Sequence, residues 1–397
     1  MQAYSAFTSE IDDLEKAVEE LAAQIAAQGK LAENSCGIVF CDYDFEVAGL
    51  AEALRERFAF PVIGNVGPAV FTRGRNAGGG IAMTVLTADD CWFRVGASGD
   101  LTGGNASGEV AGCYGRLADS APDAPKLVMA FTPCNDRIVD DDVVMTLDRV
   151  SHGLPVFGGR ACDDCSFTFG GVIANGRYLW NAAGILLIGG NVNPVFMVTP
   201  PDGVLNGFPR KVTRAEGCKI FEVDGKGFVD YLQEFSGVME LSDDARTNFL
   251  QTPFLVTRQL PGDDMVSFML IMRKFSREEN CGNFLSRVCH GDIMQRLVVD
   301  PTSIVSSARQ AAQKVGFNSS LVSGYRHAVW FCISCCTRYW LSVNDRGAEV
   351  RELVANAPEG VKLSGFYSCG EFCPVRGSNS QRLHNVIHNE TMAILAL

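Results

Sequence analysis

The run Ser364-Gly365-Phe366-Tyr367-Ser368-Cys369-Gly370-Glu371-Phe372, followed by Arg382-Leu383-His384-Asn385 and His388-Asn389-Glu390-Thr391-Met392, sets apolar segments against Gly, Ser, Glu, His and Asn. Main-chain amides and side-chain donors gathered in this way suit a pocket for something small. The order of parts is an apolar strand, a Gly-rich turn, hairpin strands and a small-apolar run, and it is met twice more upstream.

Copy one has the strand Cys36–Phe40, a helix over Val47–Arg57, the strand and turn Pro61–Gly67, and the closing run Gly80–Leu86. Copy two has Leu127–Phe131, a helix near Asp141–Ser151, Pro155–Asp164 and Ala183–Ile188. Copy three has Val329–Ile333, a helix near Gly347–Ala357, Leu363–Glu371 and Met392–Leu395. First strand and turn glycine lie roughly 25 to 35 residues apart, the size of a strand-helix-strand unit. The repetition predicts an α/β protein of stacked mixed β-sheets flanked by helices. Near-continuous apolar runs suit strands buried on both faces.

Outward from the repeats, Ile11, Leu14, Val18, Leu21, Ala22 and Ile25 recur at helical spacing, which predicts that a helix over Ser9–Ala27, capped by Ser9, opens the fold. Gly99 to Gly108 reads as a surface connection leading to a helix near Glu109–Leu117. Between Pro209 and Gly225 a period-two alternation meets an Asp224-Gly225 hairpin signal, and a division into units 1–205 and 206–397 is expected near here. The second unit reads on through a helix at Phe228–Phe235, strands at Phe254–Val256, Phe268–Met272 and Gly291–Leu297, and a helix over Ile304–Val315.

A chain of 397 residues is long for one ordinary core. With 47% hydrophobic and 20% charged residues it is globular. The net charge of −12 argues against a nucleic-acid partner, because phosphate binding needs a positive field. No apolar run approaches the roughly 20 residues that span a bilayer, and Met1-Gln2-Ala3-Tyr4 lacks the basic and apolar regions of a leader, so a cytoplasmic location is expected. Fifteen cysteines, an odd number that includes Cys332, Cys335 and Cys336 in an apolar strand-like run, read as reduced and mostly buried thiols.

Gly365–Glu371 and His388–Met392 together resemble the end of the FIST family's C-terminal domain, where G-F-Y-S-Y-G-E precedes H-N-x-T-(M/L). Cys369 stands at the family's aromatic position. Copies one and two resemble the family's N-terminal domain, so the resemblance runs over about residues 30 to 397. The family's turn G-x-S-T-A-G-E is here Gly64-Asn65-Val66-Gly67-Pro68-Ala69-Val70, without its hydroxyls and acid. Its turn G-G-S-A-G-D-D is Gly158-Gly159-Arg160-Ala161-Cys162-Asp163-Asp164, with the acids kept and Arg160 in place of Ser. The resemblance implies a FIST N-like unit, a FIST C-like unit and a small-ligand sensor in signal transduction, with amino acids among the ligands. No output domain is read in the chain, so the implied signal passes to a partner in trans.

Two charged residues match the two ends of an α-amino acid. Glu371 can accept hydrogen bonds from an amino group, and Arg160 can grip a carboxylate with two prongs. Alternatively, Glu371 pairs with a basic neighbour and Arg160 faces solvent. Asp163, Asp164, Tyr367, Ser368 and Gly370 line the same bends. His384, Asn385, His388 and Asn389 either touch the ligand or orient the turn. His384 and His388 would need a helix and a third ligand to hold a metal, and no metal or cofactor is expected. Cys162-x-x-Cys165 and Cys332-x-x-Cys335-Cys336 have redox or zinc half-site spacing without a second pair in place, Cys369-x-x-x-Cys373 being the nearest candidate. The segment Gly78-Gly79-Gly80 lacks the Lys-Ser/Thr of a phosphate loop, and Ser368 lacks the first glycine of a nucleophile elbow, position 366 being Phe. The competing reading is an enzyme using a thiol or carboxylate of the same cleft, from Cys162, Cys369 or Asp163.

Overall fold

A computed structural model describes residues 1–235, 244–380 and 382–397. It opens not with the expected helix but with β1 (Gln2–Thr8), and α1 (Leu14–Ala26) starts one turn later than expected, capped by Asp13 rather than Ser9. The Asp13 carboxylate accepts from the Lys16 amide, which satisfies one of the amides a helix start leaves unpaired. Then follow β2 (Asn34–Asp42), α2 (Val47–Arg57), β3 (Val62–Gly67), the hairpin β4 (Val70–Thr72) and β5 (Arg75–Gly78), and β6 (Ile81–Ala88).

The second repeat has the same order: β7 (Cys91–Ala97), α3 (Ala106–Asp119), β8 (Leu127–Thr132), α4 (Asp140–Val150), β9 (Val156–Arg160), the hairpin β10 (Val172–Ala174) and β11 (Arg177–Leu179), and β12 (Gly184–Gly190). The third begins with β13 (Val195–Thr199) and is then interrupted by an insertion. This holds β14 (Val204–Glu216), β15 (Lys219–Val223), β16 (Lys226–Gly227), α5 (Phe228–Phe235), α6 (Ala245–Gln251), β17 (Pro253–Gln259), β18 (Met265–Ser276), β19 (Cys281–Phe284) and β20 (Ile293–Val298). The repeat resumes with α7 (Pro301–Ser320), β21 (Val329–Cys335), α8 (Cys336–Leu341), α9 (Ala348–Asn356), β22 (Lys362–Ser368), the hairpin β23 (Glu371–Arg376) and β24 (Leu383–His388), and β25 (Met392–Ala396).

The hairpins are exchanged between repeats. The three six-stranded sheets run β1-β6-β2-β3-β10-β11, β7-β12-β8-β9-β23-β24 and β13-β25-β21-β22-β4-β5, so each is completed by a hairpin from a different repeat. In all three the central pair is parallel and the flanking pairs antiparallel. The registers also coincide. Gly64 lies opposite Val39, Gly158 opposite Ala130 and Gly365 opposite Cys332, and a Cβ at these glycines would fall 1.7, 1.8 and 2.1 Å from the partner's carbonyl oxygen. Only glycine lets the two strands approach there, so these residues mark equivalent points of the repeats.

The sheets' inner faces share one apolar core, in which Phe40 stacks on Phe366 at 4.6 Å and meets Phe131 edge-on at 5.9 Å. Helices cover the outer faces. Ala17, Leu21 and Ile25 of α1 and Leu50 and Leu54 of α2 are buried, and α7 buries Ala311, Ala312 and Val315. The insertion forms a separate sheet, β14-β20-β17-β18-β19-β15-β16, closed on itself by a β14–β15 pairing around Phe228, Phe254 and Phe284. Asp224 and Gly225 both have positive φ (49° and 78°), as the tight turn joining β15 to β16 requires. No described helix is long and apolar enough to cross a membrane.

Candidate functional site

The three bends following β3, β9 and β22 meet at the centre of the molecule. The Cys162 amide donates to the Val66 carbonyl (3.0 Å), the Tyr367 amide to Ala69 (3.1 Å), the Arg160 amide to Gly370 (2.9 Å) and the Cys369 amide to Arg160 (3.2 Å). Backbone pairing of this kind leaves the side chains of the bends packed inward.

Glu371 is fully buried and its two oxygens are already engaged. Ser368 Oγ donates to one at 2.6 Å, and the Thr391 amide (3.1 Å) and hydroxyl (2.8 Å) donate to the other. Burial pushes its carboxyl well above the usual range. Arg160 is 3% exposed and pairs with Asp140 at 3.3 Å while donating to the Asn135 carbonyl at 2.6 Å. Both of its prongs are thus occupied within the protein, and only Nε, buried, has no hydrogen-bond partner among the described residues. Asp163 is buried and accepts from the amides of Cys165, Phe167, Thr168 and Phe169, which folds the 163–169 turn around it. Asp164 is exposed, its carboxylate accepting from the neighbouring Ser166 amide and its carbonyl from Arg246. Tyr367 is buried between Phe71 and Tyr339. Gly370 leaves room where a Cβ would come no nearer than 3.6 Å to Asn389 Nδ2.

His388 and Asn389 belong to this interior. His388 donates from Nε2 to the Cys373 carbonyl (3.1 Å), and burial lowers its pKa to about 4. Asn389 Oδ1 accepts from the Ile271 amide (3.3 Å) and so ties the inserted sheet to the last bend. Beside them Glu390 is fully buried with neither carboxylate oxygen hydrogen-bonded among the described residues, and burial pushes its pKa well up. His384, Asn385 and Asp164 lie outside this interior. Both histidines are in β24, a strand, so their spacing does not bring their rings together.

His384 faces a cleft of about 760 Å³ between α4, β24 and the inserted sheet. Its Nε2 bonds Asp264 at 2.8 Å, and hydrogen bonds from Ser380, the Asn379 amide and His384 hold that carboxyl well below the usual range. Asn385 donates to Asp148 (2.7 Å) and the Leu154 carbonyl (2.9 Å) and accepts from the Val156 amide (2.8 Å), fastening β24 to the second repeat. The walls carry Arg149, Arg258, Arg287 and Arg382 opposite Asp141, Asp142 and Asp148. Arg258 grips Asp292 through Nε (2.9 Å) and Nη2 (2.7 Å), whereas Arg149 is exposed at the rim. Burial raises Asp141 to about 6 despite a hydrogen bond from the Arg287 amide.

The cysteines give a second grouping. All fifteen are free. Cys335 ends β21 and Cys336 opens α8, so the strand-like run read from the sequence turns into a helix there. This folding back carries Cys336 to Cys162 and Cys369, and the three buried sulfurs lie within 4.8 Å of one another. Hydrogen bonds from Cys134, Cys162 and Cys336, together with the Arg160 charge, favour the thiolate of Cys369.

Sequence reasoning did not single out Asp140, Asp141, Arg149 or Cys134, and it met Cys336 only beside Cys332 and Cys335, not as a neighbour of Cys162 and Cys369. The cysteines were within reach of it, because counting four positions on from Ala130 and Cys332 gives Cys134 and Cys336, and four on from Gly158 and Gly365 gives Cys162 and Cys369. The cleft residues carry no such signal.

No curated protein matches the chain. Among solved structures, the crystal structure of cyanuric acid hydrolase from A. caulinodans matches 100% of this chain and 98% of its own at 10% identity and a TM-score of 0.37, a likeness too distant to carry an argument. The FIST N domain model matches residues 35–226 and the FIST C domain model residues 229–374. The chain therefore belongs to the FIST family, whose domains are generally small-ligand sensory domains in signalling.

Proposed function

We propose that this protein is a cytoplasmic sensor that takes a small zwitterion, an amino acid or a close relative, into the cleft between α4, β24 and the inserted sheet. The supporting observation is that cleft itself, whose volume of about 760 Å³ falls within the range of small-molecule sites and whose walls carry both signs of charge. Arg149 at the rim would meet a carboxylate, and Asp141 with Asp148 an ammonium group. In this reading His384 and Asn385 belong to the ligand's surroundings, and the inner residues Ser368, Gly370, Glu371, Asn389 and Arg160 shape the bends behind it. Residues 1–205 and 206–397 act as two units meeting across the cleft. The signal passes to a partner protein in trans, because a ligand bridging two walls stabilises one arrangement of them over another. Fifteen free cysteines support a reducing compartment.

Thermal-shift screening against amino acids and related metabolites tests the reading. A true ligand at 100 times its Kd should add about 2.7 kcal/mol of stability. Arg149→Ala should abolish the response without lowering the ligand-free melting temperature. Because Asp141 ionises near pH 6, affinity for an ammonium-bearing ligand should rise between pH 5 and 7 and flatten in Asp141→Asn. Absence of any stabilising ligand, or an affinity indifferent to Arg149, would overturn the assignment.

A further inference from the structure

The buried sulfurs at the molecular centre make a separate site, independent of the cleft. We propose that Cys162, Cys336 and Cys369 bind one thiolate-preferring d10 cation, Zn²⁺ or Cu⁺, with Cys134 as the fourth ligand where the ion is Zn²⁺.

The geometry comes from the repeats. Cys134 and Cys336 each lie four positions past the residue that faces the marker glycine, and Cys162 and Cys369 each lie four positions past that glycine. Two equivalent points in repeat two and the same two in repeat three thus supply four thiols. In repeat one the corresponding residues are Tyr43 and Pro68, neither of them a thiol. Cys162, Cys336 and Cys369 are at most 1% exposed, with all Sγ atoms within 4.8 Å. A tetrahedral ion with Zn–S bonds of about 2.3 Å needs sulfurs roughly 3.8 Å apart, a contraction within reach of side-chain torsions. A multinuclear iron–sulfur cluster would need wider spacing.

The surroundings suit an anionic metal–thiolate unit. Arg160 Nε is buried without a hydrogen-bond partner among the described residues, on a residue whose carbonyl accepts from the Cys369 amide at 3.2 Å. It can donate to a ligating sulfur, as outer-shell groups at metal sites do. Cys134 Sγ now donates to Asp163 at 3.6 Å and touches Cys369, so it can turn towards an ion held by the other three. Soft sulfur ligands in an apolar interior select Zn²⁺ or Cu⁺ over Mg²⁺ or Ca²⁺. Each thiol that binds releases one proton, so loading should strengthen steeply with pH.

The full chain, refolded in a thiol-free phosphine reductant with Zn²⁺, Cu⁺ or the probe ion Co²⁺, decides the matter. After dialysis against a weak chelator, elemental analysis should find about one ion per chain, as expected of a closed thiolate site. Co²⁺ should give a near-ultraviolet sulfur-to-metal charge-transfer band. Cys369→Ser and Cys162→Ser should fall to background, and Cys289→Ser, which alters an exposed thiol, should keep the ion. Cys134→Ser should lose Zn²⁺ while retaining Cu⁺, and retention of both would remove the fourth ligand from the proposal. Should a serine variant fail to refold by circular dichroism, the wild-type Co²⁺ spectrum still decides. A wild type that holds no ion and shows no such band overturns the site.

Discussion

The His388 ring donates to the Cys373 carbonyl and is otherwise sealed from water, so the native ring resists the proton that the unfolded chain accepts. With the pKa lowered from 6.5 to about 4, it has no effect on stability above pH 6.5. Stability is then lost as pH falls from 6.5 towards 4, by at most about 3 kcal/mol. Asp141, raised to about 6, acts in the opposite sense, its contribution being lost as pH rises from 4 to 6. Urea denaturation of wild type and His388→Gln at pH 7 and 4.5 should isolate the histidine, because Gln keeps a donor and does not titrate. Arg338 is the other residue on which the interior turns. It is fully buried, donates from Nε to Glu349 at 2.7 Å, and also reaches Ser307 and the Ile304 carbonyl. Arg338→Met alone should cost about 3–5 kcal/mol by stranding Glu349, and the double variant Arg338→Met/Glu349→Leu should recover most of that by chemical denaturation. None of these pairings was legible in the sequence. Arg160 and Glu371 stood out there as charges fit for a ligand, yet charge alone does not tell whether its partner is a guest or, as with Asp140, a residue of the preceding helix.

At the level of elements, much more could be read. The expected helix Val47–Arg57 coincides with α2, and the marker glycines do fall within the expected strands, because apolar runs and turn residues are local signals. The misses were also local. At the chain start, alternating residues of β1 preceded an amphipathic helix, and the helical spacing, extended back to Ser9, overran Asp13. The run ending in Cys336 was apolar enough to pass for strand, although it bends into α8 where Arg338 finds Glu349. Helix α7 shows the opposite case, a start written plainly. Asp300 accepts from the Thr302 and Ser303 amides, Ser303 answers to the Asp300 amide, and Pro301 follows. Asp300→Ala should therefore cost about 1 kcal/mol, measured by thermal or urea unfolding, and Asp300→Asn much less.

Across the whole molecule, the three sheets are bound by loan. β10–β11 completes the first sheet, β23–β24 the second and β4–β5 the third, so no repeat has a full sheet of its own. The repeated pattern was visible in sequence, but exchange was not, since a hairpin's composition is the same whichever sheet it joins. Hydrogen exchange should find β2, β8 and β21 protected to a common free energy, that of global unfolding, while the self-closed inserted sheet can open at lower cost. A stepwise loss of the three sheets would contradict this.

The borrowed β4–β5 hairpin carries a cost in time. Its Val70 and Phe71 end fully buried against β22, which the ribosome delivers only some 290 residues later. At about 5–20 residues per second, that is on the order of 15 to 60 s during which a greasy, unpaired ribbon waits on a nascent chain. Cells making this protein must shield that ribbon throughout, and slowing translation past it should lower soluble yield more than slowing it anywhere after Leu363.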